Sequence, residues 1–179
     1  MQIVSLTTDF GIADYFVADL KASILSQYSA IQFVDVSHQI ASHDIMQAAY
    51  YIQNVRKSFP LGTIHIVAVY NYYSETSKFV AFEKEGHYFL GPNNGVFSLV
   101  FNDIDPSHVR EIDFGEDMSL TQVFSNAVAL ISNGIPLADI GPVTENFQSK
   151  LPISPVITQS QIRATILHID HFNNAVINI

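Results

Sequence analysis

The chain has 179 residues, a hydrophobic content of 48%, 8 Lys and Arg against 17 Asp and Glu, a net charge of -9 and no cysteine. This composition excludes disulfides, thiolate metal sites and a cysteine nucleophile, and the lack of clustered basic residues argues against nucleic acid as a partner. No apolar run is long and uncharged enough to span a bilayer, and Met1 leads into the first strand without a basic signal region. The sequence therefore predicts a cytoplasmic protein with no membrane partner.

The opening segment, QIVSLTTDFG, has the pattern of a buried strand that ends in Asp9 and Gly11. A carboxylate at the carboxyl end of a strand in an open α/β sheet lies at the rim where ligands bind. Its two oxygens can accept hydrogen bonds from the two hydroxyls of a ribose. Asp9 is therefore a candidate substrate-binding residue, and Asp14 is either a second one or the N-cap of the next helix.

Helical and strand patterns then alternate along the chain. Helices are predicted over 14–28, 42–55, 97–101 and 123–132, and strands over 31–36, 63–69, 78–82 and 87–90. The β-α-β-α-β opening predicts an α/β fold, with a mainly parallel central sheet and helices on both faces. The polar, proline-containing stretch 148–160 predicts a linker, and the strand-like residues of 161–179 either pair with the main sheet or begin a second domain.

A family resemblance is spread from Ile3 to Ile179. It is carried by TTDFG with DYFVADLKASIL, VDVSHQI, FPLGTIHIVAV, GPNNGVFSLVF, NGIPLADIGP and IDHFNNAVINI. Together these segments resemble the S-adenosylmethionine hydroxide adenosyltransferase family, which is related to the enzymes that form adenosyl halides. The resemblance implies an α/β domain over 1–147, a truncated small β-barrel domain that starts in 161–179, and a homotrimer. It also implies attack of hydroxide on the ribose C5′ of S-adenosylmethionine, giving adenosine and methionine without a cofactor.

The resemblance also implies binding residues. Asp9 matches the family carboxylate that holds the ribose hydroxyls, and Asp14 matches a second acidic position nearby. Phe172 and Asn174 match the Phe and Asn of a Phe-Gly-Asn turn that contacts the nucleoside from the barrel side. Asn173 replaces the glycine of that turn, and because Asn tolerates a left-handed backbone, we expect the turn to persist.

The water-activating Asp-Arg-His set of the family is absent from this sequence. The aspartate becomes Tyr70, the two arginine positions become Ser77 and Lys78, and the histidine becomes Ser119. Hydroxyls, together with the amide of Asn71, can orient a water molecule but are poor bases near neutral pH. The candidate catalytic residues are therefore Tyr70, Asn71 and Ser119, and any hydrolysis should be slow.

Other activities remain as alternatives. Tyr70 matches the tyrosine of the halogenating branch, but Leu120 stands where that branch contacts the halide, which disfavours an adenosyl halide synthase. The chain could instead be a non-catalytic protein that binds adenosine or S-adenosylmethionine, or a structural domain whose site has decayed. No metal site is predicted, because His168 and Asp170 would share a strand face while His171 points away.

Three further features have competing interpretations. His43 is either a ring beside the adenine or an exposed residue at a helix start, and His38 with Asp35 is expected to brace a strand exit. The two asparagines of GPNNG, Asn93 and Asn94, suit a tight turn, although a contact to ligand or to a neighbouring subunit is the alternative.

Overall fold

The computed structural model describes residues 1–70, 78–112 and 118–179. Its helices and strands alternate through the first half of the chain, and short strands form the last quarter. In chain order they are β1 (Gln2–Thr8), α1 (Phe16–Gln27), β2 (Ile31–Ser37), α2 (Ile45–Val55), β3 (Ile64–Ala68), β4 (Phe79–Lys84), β5 (His87–Pro92), α3 (Val96–Val100), β6 (Arg110–Glu111), α4 (Leu120–Ser132), α5 (Leu137–Ile140), β7 (Val156–Ile157), β8 (Ile162–Arg163), β9 (Ile166–Ile169) and β10 (Ala175–Ile177).

Six strands form the central sheet, in the order β2-β1-β3-β5-β4-β6. The four strands β2, β1, β3 and β5 run parallel, whereas β4 is antiparallel to both β5 and β6. This arrangement confirms the predicted α/β fold, and the two predicted strands over 78–82 and 87–90 pair as an antiparallel hairpin. Because β2 and β3 lie on opposite sides of β1, the chain reverses its direction of winding between β1 and β3, and ligands of such sheets bind at that point.

Helices cover both faces of the sheet, as predicted. Leu20 of α1 and Phe124 of α4 belong to the apolar core on one face. Ile52 of α2 and Phe97 of α3 belong to the core on the other. Along β3 and the residue after it, side chains alternate between the two cores because successive strand residues point to opposite faces. The sheet is therefore buried on both sides, and its open rim is the carboxyl edge of the parallel strands.

Helix α4 begins earlier than the predicted residue 123. Its N-cap is Ser119, whose hydroxyl accepts a hydrogen bond from the backbone N–H of Gln122, while the Gln122 side chain accepts from the Ser119 N–H. This reciprocal capping box stabilises a first turn that the apolar periodicity alone does not mark. The helix ends as predicted, with Gly134 in a left-handed conformation at φ 78° just beyond it.

The carboxy-terminal residues form two separate hairpins instead of joining the central sheet. β7 pairs with β8, and β9 pairs with β10, each in an antiparallel two-stranded sheet. β7 falls inside the predicted linker, because its two β-branched residues find partners in β8. The division into domains at residues 147 and 160 remains a prediction. Within the described ranges, every helix is too short or too polar to cross a membrane.

Candidate functional site

The Asp9 carboxylate lies where the sheet changes its direction of winding. Its Oδ2 atom accepts two backbone hydrogen bonds, from His43 N at 3.0 Å and from Tyr70 N at 3.1 Å. Asp9 directly follows β1 and Tyr70 comes two residues after β3, so the carboxylate joins the ends of the two central strands. No residue of the described ranges donates a hydrogen bond to Oδ1, which can therefore accept from a bound hydroxyl.

The two residues that donate to Asp9 have an uncommon backbone conformation. His43 has φ 65° and Tyr70 has φ 56°, both in the left-handed region. Their rings lie beside each other, with centroids 4.7 Å apart and planes tilted by 45°. Left-handed non-glycine residues carry strain that surrounding contacts must hold, and they cluster at ligand sites. His43 is exposed and directly precedes the N-cap of α2, as expected for a helix-start residue, while a role of its ring beside the adenine stays a prediction.

A chain of polar contacts, buried at Thr8 and His38 and exposed at Asp35, supports the loop that carries Asp9. Thr8 Oγ1 lies 2.9 Å from His38 Nδ1, His38 Nε2 lies 3.1 Å from Asp35 Oδ1, and Lys21 Nζ lies 2.7 Å from Asp35 Oδ2. Partial burial raises the pKa of Asp35, but hydrogen bonds from Lys21 and His38 outweigh it, and the net pKa is lowered. This is the bracing role expected for His38 and Asp35, and it fixes β1 and β2 at the carboxyl edge.

The GPNNG segment also holds this edge in place. Asn94 Nδ2 donates to the carbonyl oxygens of Val69 at 2.9 Å and of Tyr70 at 3.3 Å, so it fixes the end of β3. Asn93 Nδ2 donates to Asn146 O at 2.8 Å. Both amides thus make structural contacts to distant parts of the chain, and Asn94 Oδ1 also accepts from Val96 N within the turn itself.

Two other predicted site residues, Asp14 and Ser119, lie at the starts of helices α1 and α4. Asp14 is exposed and does not cap the helix: the N-cap of α1 is Tyr15, which makes no side-chain cap hydrogen bond. The N-cap alternative for Asp14 is therefore wrong, because the helix starts one residue too late for its carboxylate to act as the cap. The Ser119 hydroxyl takes part in the capping box of α4. Asn71 lies outside the described residues.

Phe172 and Asn174 lie at the tip of the β9–β10 hairpin. Asn173 has φ 65°, the left-handed conformation expected for the residue that replaces the family glycine. Asn174 Nδ2 donates to Asp170 Oδ2 at 2.8 Å, and the Phe172 side chain is 80% exposed. Among the described residues, no hydrogen bond or ring contact joins Phe172 or Asn174 to Asp9. Within one chain, Asp9, His43 and Tyr70 therefore lie together. The hairpin tip makes no hydrogen bond or ring contact with Asp9 in the described ranges.

The histidines of this hairpin do not form a metal site with their neighbours. In residues 1–70, 78–112 and 118–179, no group of three or more His, Asp or Glu side chains could hold a metal ion. His168 instead packs on α2, with its Nε2 3.2 Å from the Tyr51 hydroxyl.

Asp9 and Tyr70 were predicted as site residues from the sequence, whereas the backbone contact from His43 to Asp9 was not predicted. The carboxylate is held by main-chain N–H groups, which every residue except proline carries. No side-chain pattern could have marked that contact, because it depends on bringing residues 9, 43 and 70 together in the fold.

The chain is similar to curated enzymes over most of its length. It is 26% identical over 184 residues to an (R)-S-adenosyl-L-methionine hydrolase of Methanocaldococcus jannaschii, covering 100% of this chain and 67% of that protein. It is 27% identical over 182 residues to one of Salinispora arenicola, covering 96% and 69%. A fluorinase of Nocardia brasiliensis is 26% identical over 214 residues, covering 99% and 71%.

Solved structures share the fold. An uncharacterized conserved protein of Thermotoga maritima matches with a TM-score of 0.81 and 22% identity, covering 100% of this chain and 71% of that one. A conserved hypothetical protein of Thermus thermophilus matches with a TM-score of 0.78 and 25% identity, covering 100% and 73%. The family model described as the SAM hydroxide adenosyltransferase N-terminal domain matches residues 4–141. This match spans the sheet and the Asp9 edge, and the chain belongs to the S-adenosylmethionine hydroxide adenosyltransferase family.

Proposed function

We propose that this protein binds S-adenosylmethionine at the carboxyl edge of its sheet and hydrolyses it to adenosine and methionine. The observation that carries the proposal is the Asp9 carboxylate, fixed through Oδ2 by two backbone N–H groups at the winding switch between β1 and β3. Two of the curated relatives are named hydrolases of the (R) form of this substrate, which supports the same substrate here.

The binding step uses Oδ1, to which no residue in 1–70, 78–112 or 118–179 donates a hydrogen bond. With Oδ2 already fixed, Asp9 cannot turn freely, and Oδ1 faces a ligand without loss of side-chain rotamer entropy. Hydrogen bonds from ribose hydroxyls to an ionised carboxylate are charge-assisted and stronger than those between neutral groups. The two residues that donate these N–H groups, His43 and Tyr70, have ring centroids 4.7 Å apart.

The chemical step needs little from the protein. A water oxygen forms a bond to C5′ of the ribose, the C5′–S bond breaks with its electron pair going to sulfur, and the water proton passes to solvent. The sulfonium is already a good leaving group, so the enzyme must align the water with the C–S bond and exclude bulk solvent. Tyr70, Asn71 and Ser119 are the proposed water-positioning residues. None of them is a strong base, so turnover should be slow.

A homotrimer would complete the site. Phe172 is 80% exposed on its own chain and Asn174 lies beside it, so a neighbouring subunit could present both to the nucleoside bound at Asp9. Asp14, also exposed, is the proposed second acidic group near the ligand.

The second candidate function is binding without turnover. It is favoured by the replacement of the family's Asp-Arg-His set. Lys78, at one arginine position, is held by Glu111, with Nζ 2.8 Å from Oε2. A cation in a bidentate pair of this kind is less available to a water molecule.

One experiment separates these functions. Purified protein is incubated with the (R) and (S) sulfonium forms of S-adenosylmethionine, and adenosine is followed by chromatography in wild type, Asp9→Asn and Asp9→Ala. Asparagine keeps an acceptor for the two N–H groups but loses the charge, so we expect adenosine formation about tenfold slower, and slower still in the alanine variant. Asp139→Asn, an exposed carboxylate on α5, is the matched control and should match wild type.

The alternatives give different results. Heat stabilisation of the wild type by S-adenosylmethionine without adenosine supports binding alone. If neither adenosine nor heat stabilisation is observed, both functions are refuted. Equal rates of adenosine formation in wild type, Asp9→Asn and Asp9→Ala would show that Asp9 does not bind the substrate.

A further inference from the structure

Gln47, in the first turns of α2, bridges two parts of the chain that are far apart in sequence. Its Oε1 accepts from the backbone N–H of Ala41 at 2.7 Å, and its Nε2 lies 3.0 Å from His168 Nδ1 on β9. Since the backbone N–H can only donate, the amide oxygen must face Ala41 and the NH₂ group must face His168. The orientation of the amide is thereby fixed from both ends.

The Ala41 end of this bridge leads to the proposed ribose site. Ala41 and His43 belong to one tight turn, closed by the hydrogen bond from Asp44 N to Ala41 O at 2.9 Å. The same turn delivers the His43 N–H to Asp9 Oδ2. Asp44 in turn caps α2 by accepting from Met46 N and Gln47 N. Gln47 is thus attached to the 41–44 turn by its side chain and by its backbone.

The His168 end joins the carboxy-terminal hairpin to α2. Because Nδ1 accepts from the amide, the neutral ring carries its proton on Nε2, which lies 3.2 Å from the Tyr51 hydroxyl. Burial, with Tyr50 nearby, raises the pKa of Tyr51, so its hydroxyl is neutral and can accept. The rings of Tyr50 and Tyr51 lie 5.9 Å and 5.2 Å from His168.

We propose that Gln47 is a positioning residue for the Asp9 carboxylate, and that His168 of the β9–β10 hairpin holds its amide in the working orientation. The relay runs from His168 through Gln47 to the 41–44 turn, and from His43 N–H to Asp9. It holds the left-handed His43 in the conformation that aims its N–H at the carboxylate. This proposal rests on the proposed function for its consequence in ligand binding, but the relay itself exists in the free protein.

The test compares wild type with Gln47→Met, which keeps the side-chain length and removes both hydrogen bonds. The matched control is Gln53→Met on the same helix, which also loses one amide bond to a backbone carbonyl, from Nε2 to Leu99 O at 2.7 Å, but has no link to the 41–44 turn. His168→Phe keeps a ring against Tyr50 and Tyr51 and removes the acceptor for the Gln47 amide.

Two readouts are used. Hydrogen exchange followed by NMR in the free protein measures protection of the Ala41 and His43 amides. We expect exchange about five- to tenfold faster in Gln47→Met, the effect of one net hydrogen bond, a smaller increase in His168→Phe, and no change in Gln53→Met. Titration with S-adenosylmethionine measures affinity, which should weaken by a similar factor in Gln47→Met, by a smaller factor in His168→Phe, and not at all in Gln53→Met.

The outcomes separate the two proposals. Unchanged exchange of Ala41 and His43 in Gln47→Met overturns the positioning role, whatever the ligand result. Faster exchange together with unchanged affinity also overturns it, because the turn would then not serve the carboxylate. Faster exchange in a protein whose wild type binds no S-adenosylmethionine supports the relay and refutes the proposed function.

Discussion

Acid should destabilise this protein through a histidine buried in the middle of its sheet. His65 on β3 is completely buried, with Nδ1 2.6 Å from Ser5 Oγ and its ring stacked 5.0 Å from that of Phe89. Burial, with added repulsion from His87 and Arg56, lowers the pKa of His65 from 6.5 to about 3. The folded protein therefore keeps this ring neutral at a pH where the unfolded chain binds a proton.

The size of the effect follows from that shift. A histidine whose pKa is lowered on folding contributes its full stability above the unfolded value of 6.5, and this share is lost as the pH falls towards about 3. Where the unfolded chain binds one proton more than the folded protein, the free energy of unfolding changes by about 1.4 kcal/mol for each unit of pH. From His65 alone it should therefore drop by about 2.5 kcal/mol between pH 7 and about pH 4.5.

The variant His65→Asn isolates the contribution of His65 to the loss of stability in acid. Asparagine keeps a polar partner for Ser5 but does not titrate, so the variant should be less stable at neutral pH, because the ring is lost, and should lose about 2.5 kcal/mol less than wild type on acidification. Urea unfolding followed by circular dichroism at the two pH values gives both numbers. His108→Asn, at an exposed position, is the control. Equal acid losses in wild type and His65→Asn would refute the reasoning.

Three other predictions concern stability. Gly91→Ala should cost about 3 kcal/mol or more in thermal unfolding, because an added Cβ would stand 2.6 Å from Val67 O and 2.9 Å from the Phe97 ring; a loss below 1 kcal/mol contradicts this packing. Ser119→Ala should cost about 1 kcal/mol in urea unfolding through loss of the α4 cap, and an unchanged midpoint would exclude the cap. Below about pH 4, the free energy of unfolding of Asp35→Asn should fall less steeply than that of wild type. A carboxyl group whose pKa is lowered on folding stabilises the fold above its pKa in the unfolded chain, and this contribution is lost in acid; parallel curves for the two proteins would refute the prediction.

The sequence predicted the parts of the fold that depend on local pattern. The apolar strand of Val4 and Leu6, followed by Asp9 and a glycine, indicated a buried β1 and a carboxylate at its end, and both are found. The start of α4 was also predictable, because Ser119 and Gln122 have capping-box spacing. The apolar periodicity alone predicted a helix start that was too late.

Long-range contacts between polar groups were not predictable in this way. Gln47 and His168 are 121 positions apart, and neither belongs to a motif. The two N–H groups on Asp9 are main-chain groups, so only the assembled sheet shows that they converge. The catalytic roles of Tyr70, Asn71 and Ser119 stay predictions.

The two backbone hydrogen bonds to Asp9 have a consequence for how such a site can vary. Because main-chain N–H groups donate them, the side chains at positions 43 and 70 can be exchanged without losing these bonds. The permitted replacements are restricted to residues that accept a left-handed backbone, chiefly Gly, Asn and Asp. A small library at these two positions would therefore vary the surroundings of the proposed nucleoside site while the backbone contacts to Asp9 stay constant, which is a simple starting point for testing substrate preference.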